Sequence, residues 1–154
     1  MGKLYIVRHA HAGARGPDDD ADRQRPLSER GRDQAEGLRR QFETAGITRL
    51  VSSPFRRCVE TLAPLASFAG VEVESDSRLA EAQGAEGAVA LASELRDTTA
   101  ALCSHGDVIP DLLDELVRSG VRFTDELRWP KSSTWVLTRT NGGFSKAVYV
   151  PPPA

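Results

Sequence analysis

The residues of this chain best equipped for chemistry stand where short apolar runs end. Arg8-His9 follows Leu4-Tyr5-Ile6-Val7, and His105-Gly106 follows Ala100-Ala101-Leu102-Cys103-Ser104. Between them, Arg49-Leu50-Val51-Ser52 leads into Ser53-Pro54-Phe55-Arg56-Arg57. Apolar, β-prone runs of this length read as buried strands, and open α/β sheets bind ligands at the carboxyl ends of their strands. A guanidinium takes phosphate oxygens bidentately, and an imidazole beside it can serve as a nucleophile, which together equip Arg8-His9 for phosphoryl transfer. Helix starts after the runs at Arg49–Ser52 and Ala100–Ser104 add a preference for anions. Arg8-His9 alone would read as a strand end carrying two solvated side chains. The chain has only three histidines, however, and two of them occupy such junctions; that convergence points to an active site.

The positioning elements follow from periodicity. Strands are expected at residues 3–7, 49–52, 71–74, 99–104, 134–140 and 146–150. Ser28 can cap a helix to about Thr44, with Ala35, Leu38, Phe42 and Ala45 on one face; Gly31 and Gly37 weaken it, so its support must be tertiary. A second helix is expected from Phe55 to Ala69, with Pro64 kinking or breaking it. A third is expected from Glu86 to Arg96, and a fourth opens at Asp107 with Pro110 in its first turn, where no amide partner is needed. Strands and helices alternate, which implies a three-layer α/β/α sandwich on a mostly parallel sheet. The last two strands flank Asn141-Gly142-Gly143, a hairpin signal, so one antiparallel strand should join that sheet. Pro151-Pro152-Pro153 cannot extend a ladder. Residues 13–25, rich in Asp and Arg, read as a structureless solvated loop able to close over Arg8-His9.

Composition bounds the rest. A length of 154 residues suits a single domain, residues 1–154, with a core of its own. A net charge of −2 gives no support for a nucleic-acid polymer or a membrane surface as partner. Of 20 basic residues only Lys3, Lys131 and Lys146 are lysine, a bias that base composition explains better than function. Cys58 and Cys103 form neither a disulfide framework nor a metal spacing and read as small core residues of a reducing compartment. With no signal peptide or membrane span to read, the cytoplasm is the expected location.

Leu4-Tyr5-Ile6-Val7-Arg8-His9-Ala10 resembles the signature of the histidine phosphatase superfamily, with its phosphoglycerate-mutase-like fold. Ser52-Ser53-Pro54-Phe55-Arg56-Arg57-Cys58-Val59-Glu60-Thr61 resembles its second motif, with Arg57 at the phosphate-clamp position. Ser104-His105-Gly106 resembles its third, and Arg25 to Ala35 is similar to the segment before the first long helix. Ala10, where many members have Gly, and the short chain resemble the small SixA-type phosphohistidine phosphatases. Leu102 to Leu113 and the ending from Ala147 to Pro153 are also similar to the phosphatase domain that follows a Nudix domain in some nucleotide hydrolases.

The resemblance implies a metal-independent mechanism without a cofactor. Neutral His9 attacks phosphorus and water hydrolyses the resulting phosphohistidine. Arg8, Arg57 and His105 surround the equatorial oxygens, where charge must be neutralised. Glu81 occupies the family's frequent general-acid place, against the alternative of an exposed loop carboxylate. Other residues take plainer readings. Arg56 is expected to be solvated, Arg15 and Arg23 to be surface charge, Asp107 a helix cap, and Trp129 and Trp135 packing residues. His9-Ala10-His11 has the form of a metal pair that opens some barrels, but such barrels need about 250 residues; His11 is therefore expected at the site rim, with no metal. The substrate implied first is a phosphohistidine protein, with a nucleotide or small phosphoester as the alternative. Mutase activity ranks below both, and a non-catalytic phosphate-binding module would have no need of the nucleophile.

Overall fold

The computed structural model describes residues 2–154. One sheet of seven strands organises them, in the order β3-β2-β4-β1-β6-β7-β5. The strands are β1 (Leu4–Arg8), β2 (Arg49–Ser52), β3 (Val73–Ser75), β4 (Ala100–Ser104), β5 (Arg122–Phe123), β6 (Thr134–Thr140) and β7 (Gly143–Val150). The helices are α1 (Asp19–Arg23), α2 (Glu29–Phe42), α3 (Arg56–Ala69), α4 (Glu86–Glu94) and α5 (Val108–Arg118). β1 pairs in parallel with β4 and antiparallel with β6, and β6 is antiparallel to β7. β6 is thus the one strand running against the rest, as the hairpin signal implied.

The sheet is covered on both faces, which explains why β1 and β4 are apolar throughout rather than alternating. Leu4 and Ile6 pack with Leu91, Leu95, Ile109 and Leu112 from α4 and α5. Tyr5 and Val7 point the other way, to Leu38, Phe42, Leu62 and Leu65 from α2 and α3. Trp135 lies in the core, 1 % exposed, with its indole N–H donating to the Arg128 carbonyl.

Ser28 caps α2 through Gly31 N–H. The tertiary support that α2 needs comes from the segment after β1. Ser28 N–H donates to the His11 carbonyl, and His11 N–H donates to Gln34 Oε1. Gly31 is required at this crossing, because a Cβ there would stand 1.9 Å from the His11 carbonyl oxygen. α3 runs unbroken through Pro64, with Leu62 and Leu65 buried on either side. Proline removes one amide from the ladder, and the packing of that face holds the remainder.

Four sequence expectations shift. Residues 13–25 are not structureless, since α1 forms there with Asp18 capping it through Ala21 N–H. β3 begins at Val73 rather than Val71, which follows α3 and whose N–H bonds back to the Ala66 carbonyl. β5, a two-residue edge strand parallel to β7, is too short to leave a periodic signal. β7 begins at Gly143, three residues ahead of the expected start. No helix among the described residues is long and apolar enough to cross a membrane.

Candidate active site

β2, β4 and β1 are adjacent, and their carboxyl ends deliver Ser53, His105 and His9 to one place. The three turns are tied to each other: His9 N–H donates to the Ser104 carbonyl at 3.1 Å and Ser53 N–H to the Cys103 carbonyl at 2.9 Å. Above them opens a cleft of about 660 Å³ lined by Arg8, His9, Arg15, Arg25, Arg57, Glu81, Gly106, Asp107, Trp129 and Lys131, among others. A surface depression between α4 and α5 holds none of the strand-end residues and only one cation against four carboxylates.

His9 is 5 % exposed. Its Nδ1 is 2.8 Å from the Ala10 carbonyl oxygen, an acceptor only, so the proton of the neutral ring sits on Nδ1 and the Nε2 lone pair is left free. Burial, with the nearby His105, Arg57 and Arg8 charges adding to it, pulls its pKa down from 6.5 to about 3, although the Ala10 carbonyl opposes the shift. The ring is therefore neutral at ordinary pH, the state a nitrogen nucleophile needs. Ala10 N–H donates to Thr61 Oγ1, which fixes the turn against α3.

Arg57 is almost wholly buried at the start of α3. Its Nη1 donates to the Asp22 carbonyl at 3.0 Å and lies 3.4 Å from Asp22 Oδ2, while Nη2 donates to Glu81 Oε2 at 2.9 Å. Its guanidinium carbon lies 5.0 Å from the Phe55 ring centroid. Arg8 folds back over the turn after β4, where a Cβ on Gly106 would meet its Nη2 at 2.7 Å; Gly106 is what lets the guanidinium lie there. Its Nη1 donates to the Trp129 carbonyl. Burial, and then the Arg57 charge, hold Arg8 below the usual arginine value. Arg8, Arg25 and Arg57 each keep a buried Nε–H with no acceptor among the described residues. These three guanidiniums line one cleft and concentrate positive charge there, which favours an anion.

His105 is placed one layer deeper than the sequence implied. It is 1 % exposed and supports the floor of the cleft without lining it. Ser53 Oγ holds its Nε2 at 2.8 Å, and Phe55 packs edge-on at 4.7 Å. Nδ1 faces the cleft side, 3.4 Å from Arg57 Nη2 and 3.6 Å from Glu81 Oε2. Glu81 is not a free loop carboxylate, because it accepts from both Arg57 and Arg15. Asp107 caps α5 through Val108 N–H and also accepts Ala82 N–H, which ties the Glu81 turn to the β4 end.

Several expected placements are corrected. Arg15 is not idle surface charge: it bridges Asp22 and Glu81 at the cleft mouth. Trp129 is half-buried and packs against the core as expected, and it also stands in the cleft wall. His11 does not line the cleft; its Nδ1 pairs with Ser28 Oγ at the start of α2. Arg56 is solvated as expected, paired with Glu60, and Arg23 lies over the Phe55 ring outside the cleft. Sequence reasoning missed Asp22, Ser53, Thr61, Arg25 and Lys131. Asp22 is buried and meets Arg15, Arg25 and Arg57 at 2.9, 3.2 and 3.4 Å, yet nothing sets it apart from its Asp neighbours in the sequence.

The family pattern described as histidine phosphatase superfamily (branch 1) matches residues 4–89. The chain is 33 % identical to an 8-oxo-(d)GTP phosphatase of Mycolicibacterium smegmatis over 97 % of its own length, and it spans about half, 48 %, of that relative. Its fold is similar to that of the protein histidine phosphatase SixA complexed with tungstate, with a TM-score of 0.76 at 19 % identity, covering 99 % of this chain and 96 % of the other. A mycobacterial glucosyl-3-phosphoglycerate phosphatase is similar at a TM-score of 0.70 and 19 % identity, with both chains fully covered. The chain belongs to the histidine phosphatase superfamily, branch 1.

Proposed function

We propose that this phosphatase works by double displacement through His9, without a metal or cofactor. His9 Nε2 gives its lone pair to phosphorus, forming an N–P bond as the P–O bond breaks and the leaving oxygen keeps that electron pair. Water then attacks the phosphohistidine, its oxygen joins phosphorus, the N–P bond returns its pair to Nε2, and the released proton passes to Glu81 or solvent. The observation that carries this reading is the Nδ1–Ala10 hydrogen bond together with the depressed His9 pKa, which leave a neutral Nε2 beside two guanidiniums. Arg8 and Arg57, both lining the cleft, supply the charge that the transferring phosphoryl group needs. His105 acts from below, presenting Nδ1 to the same space while Ser53 fixes its ring. Glu81 stands where it can hand a proton to an alkoxide leaving group.

A small phosphorylated molecule such as a nucleotide is the substrate class best supported. The cleft, at about 660 Å³, is within the range of small-ligand sites, about 300–1,000 Å³, and carries an indole in its wall. The relative named for 8-oxo-(d)GTP points the same way. A phosphohistidine protein is the second reading, favoured by the exposed Arg15 at the mouth, which leaves the rim within reach of a macromolecule. Turnover of nucleotides, small phosphoesters and phosphohistidine proteins in EDTA, with His9→Ala in parallel, tests both levels. Activity in EDTA that disappears in His9→Ala supports the mechanism, and the preferred substrate decides the class. His9→Ala activity near that of the parent chain would remove His9 as nucleophile.

A further inference from the structure

The mechanism above leaves three cations of the cleft unused, Arg15, Arg25 and Lys131. Lys131 lines the cleft with His9 and Arg8, and its Nζ makes neither an ion pair nor a hydrogen bond among the described residues. Arg15, Arg25 and Arg57 differ, since each has a carboxylate partner. Burial, and then the Arg8, Arg25, Arg57 and Arg30 charges, lower the pKa of Lys131. An ammonium held in such surroundings is stabilised when an anion arrives.

Its position is fixed with unusual care. The next residue, Ser132, is fully buried with φ of 64°, a left-handed conformation that strains a side-chain-bearing residue. Ser132 N–H lies 3.1 Å from the Arg8 carbonyl oxygen and 3.2 Å from that of His9, and Arg8 N–H donates to the Ser133 carbonyl. Arg8 Nη1 reaches the Trp129 carbonyl of the same segment. The chain carrying Lys131 is therefore bolted to the backbone of the nucleophile and to the side chain of Arg8, and strained backbone is spent to do it.

We propose that Lys131 is a second anion-binding group of the cleft, selecting substrates that carry another phosphate close to the one transferred. This rests on the reading of His9, Arg8 and Arg57 as the transfer site. The transferred group lies between Arg8 and Arg57, and Lys131 holds the second phosphate, with Trp129 flanking what that phosphate bears. Two substrate types share this chemistry: a phosphoanhydride, in which the second phosphate is the leaving group, and a bisphosphorylated ester, in which it sits on a separate carbon.

The test compares kcat/KM of the parent chain, Lys131→Ala and Lys131→Arg on GDP, 2,3-bisphosphoglycerate and p-nitrophenyl phosphate. Losing one charged contact to phosphate lowers kcat/KM by about tenfold or more. Lys131→Ala is expected to lose that factor, mostly through KM, on GDP or on the bisphosphate. It should lose much less on p-nitrophenyl phosphate, and Lys131→Arg should recover most of the loss. Selective loss on GDP assigns the anhydride, and selective loss on the bisphosphate assigns the ester. An equal loss on all three substrates, or none on any, overturns the second-anion role while leaving the transfer site standing. A parent chain that turns over none of the three and never carries phosphate on His9 overturns both.

Discussion

Protonation of His9 offers a thermodynamic test of the nucleophile that needs no substrate. Burial is the leading cause of its low pKa, about 3 against 6.5 when unfolded, so the unfolded chain takes up a proton between these values that the folded chain refuses. The sign follows from linkage: above the unfolded value the group contributes nothing to pH dependence, and as pH falls through 6.5 towards 3 stability is lost. At about pH 5 the unfolded imidazole is almost fully charged and the folded one neutral, which costs about 2 kcal/mol relative to pH 7.5. Urea unfolding of the parent chain and of His9→Asn at both pH values isolates this share, because other titrating groups cancel in the double difference. The parent chain should lose about 2 kcal/mol more than the variant on acidification. Equal losses would mean that His9 takes up its proton in the folded state as easily as in the unfolded one, and the argument for a poised neutral Nε2 would fail.

Arg57→Ala should lower kcat/KM by about 10²-fold, as for removal of one oxyanion donor, whereas Arg56→Ala, exposed and paired only with Glu60, should change it little. Equal losses in steady-state assays would mean that the wrong arginine has been placed in the cleft. Glu81→Gln should slow alkyl phosphates far more than aryl phosphates, by up to about 10²–10⁴-fold, and should abolish the basic limb of the alkyl pH–rate profile. A uniform small loss would leave Glu81 as a partner of Arg57 and Arg15 alone. Asp22→Ala removes the carboxylate shared by Arg15, Arg25 and Arg57 and should destabilise the fold by about 3 kcal/mol, the lower end for breaking a buried pair. Inorganic phosphate should then raise its melting temperature more than that of the parent chain, since the anion takes over the neutralisation of Arg57. An equal rise in both proteins would contradict that role.

The elements that position the site were legible because each announces itself locally. β1 and β4 carry unbroken apolar runs, since both sheet faces are covered, and Ser28 and Asp107 stand directly before the apolar faces that they cap. Arg8, His9 and Arg57 could be found because they sit at the ends of those elements. What surrounds them was not legible. Asp22 and Arg15 reach the site only because α1 folds residues 13–25 back over it, and a five-residue helix is too short to show a period. Lys131 arrives from the connection between β5 and β6, more than 120 residues from His9 in sequence, through backbone bonds at Ser132 that no side-chain pattern encodes. His105 was found by its strand, but its depth depends on Ser53 and Phe55 from another strand end, so its distance from the cleft surface was invisible.

Whether the phosphoryl group passes through His9 is decided most directly by rapid quenching in base during turnover, followed by mass spectrometry of the peptide that holds His9. A phosphoramidate survives base and is lost in acid. The account requires one phosphoryl group on His9, formed and consumed at rates compatible with turnover and absent from His9→Ala. Steady turnover with no phosphate on His9, or with phosphate on His105 or any other residue, would contradict it.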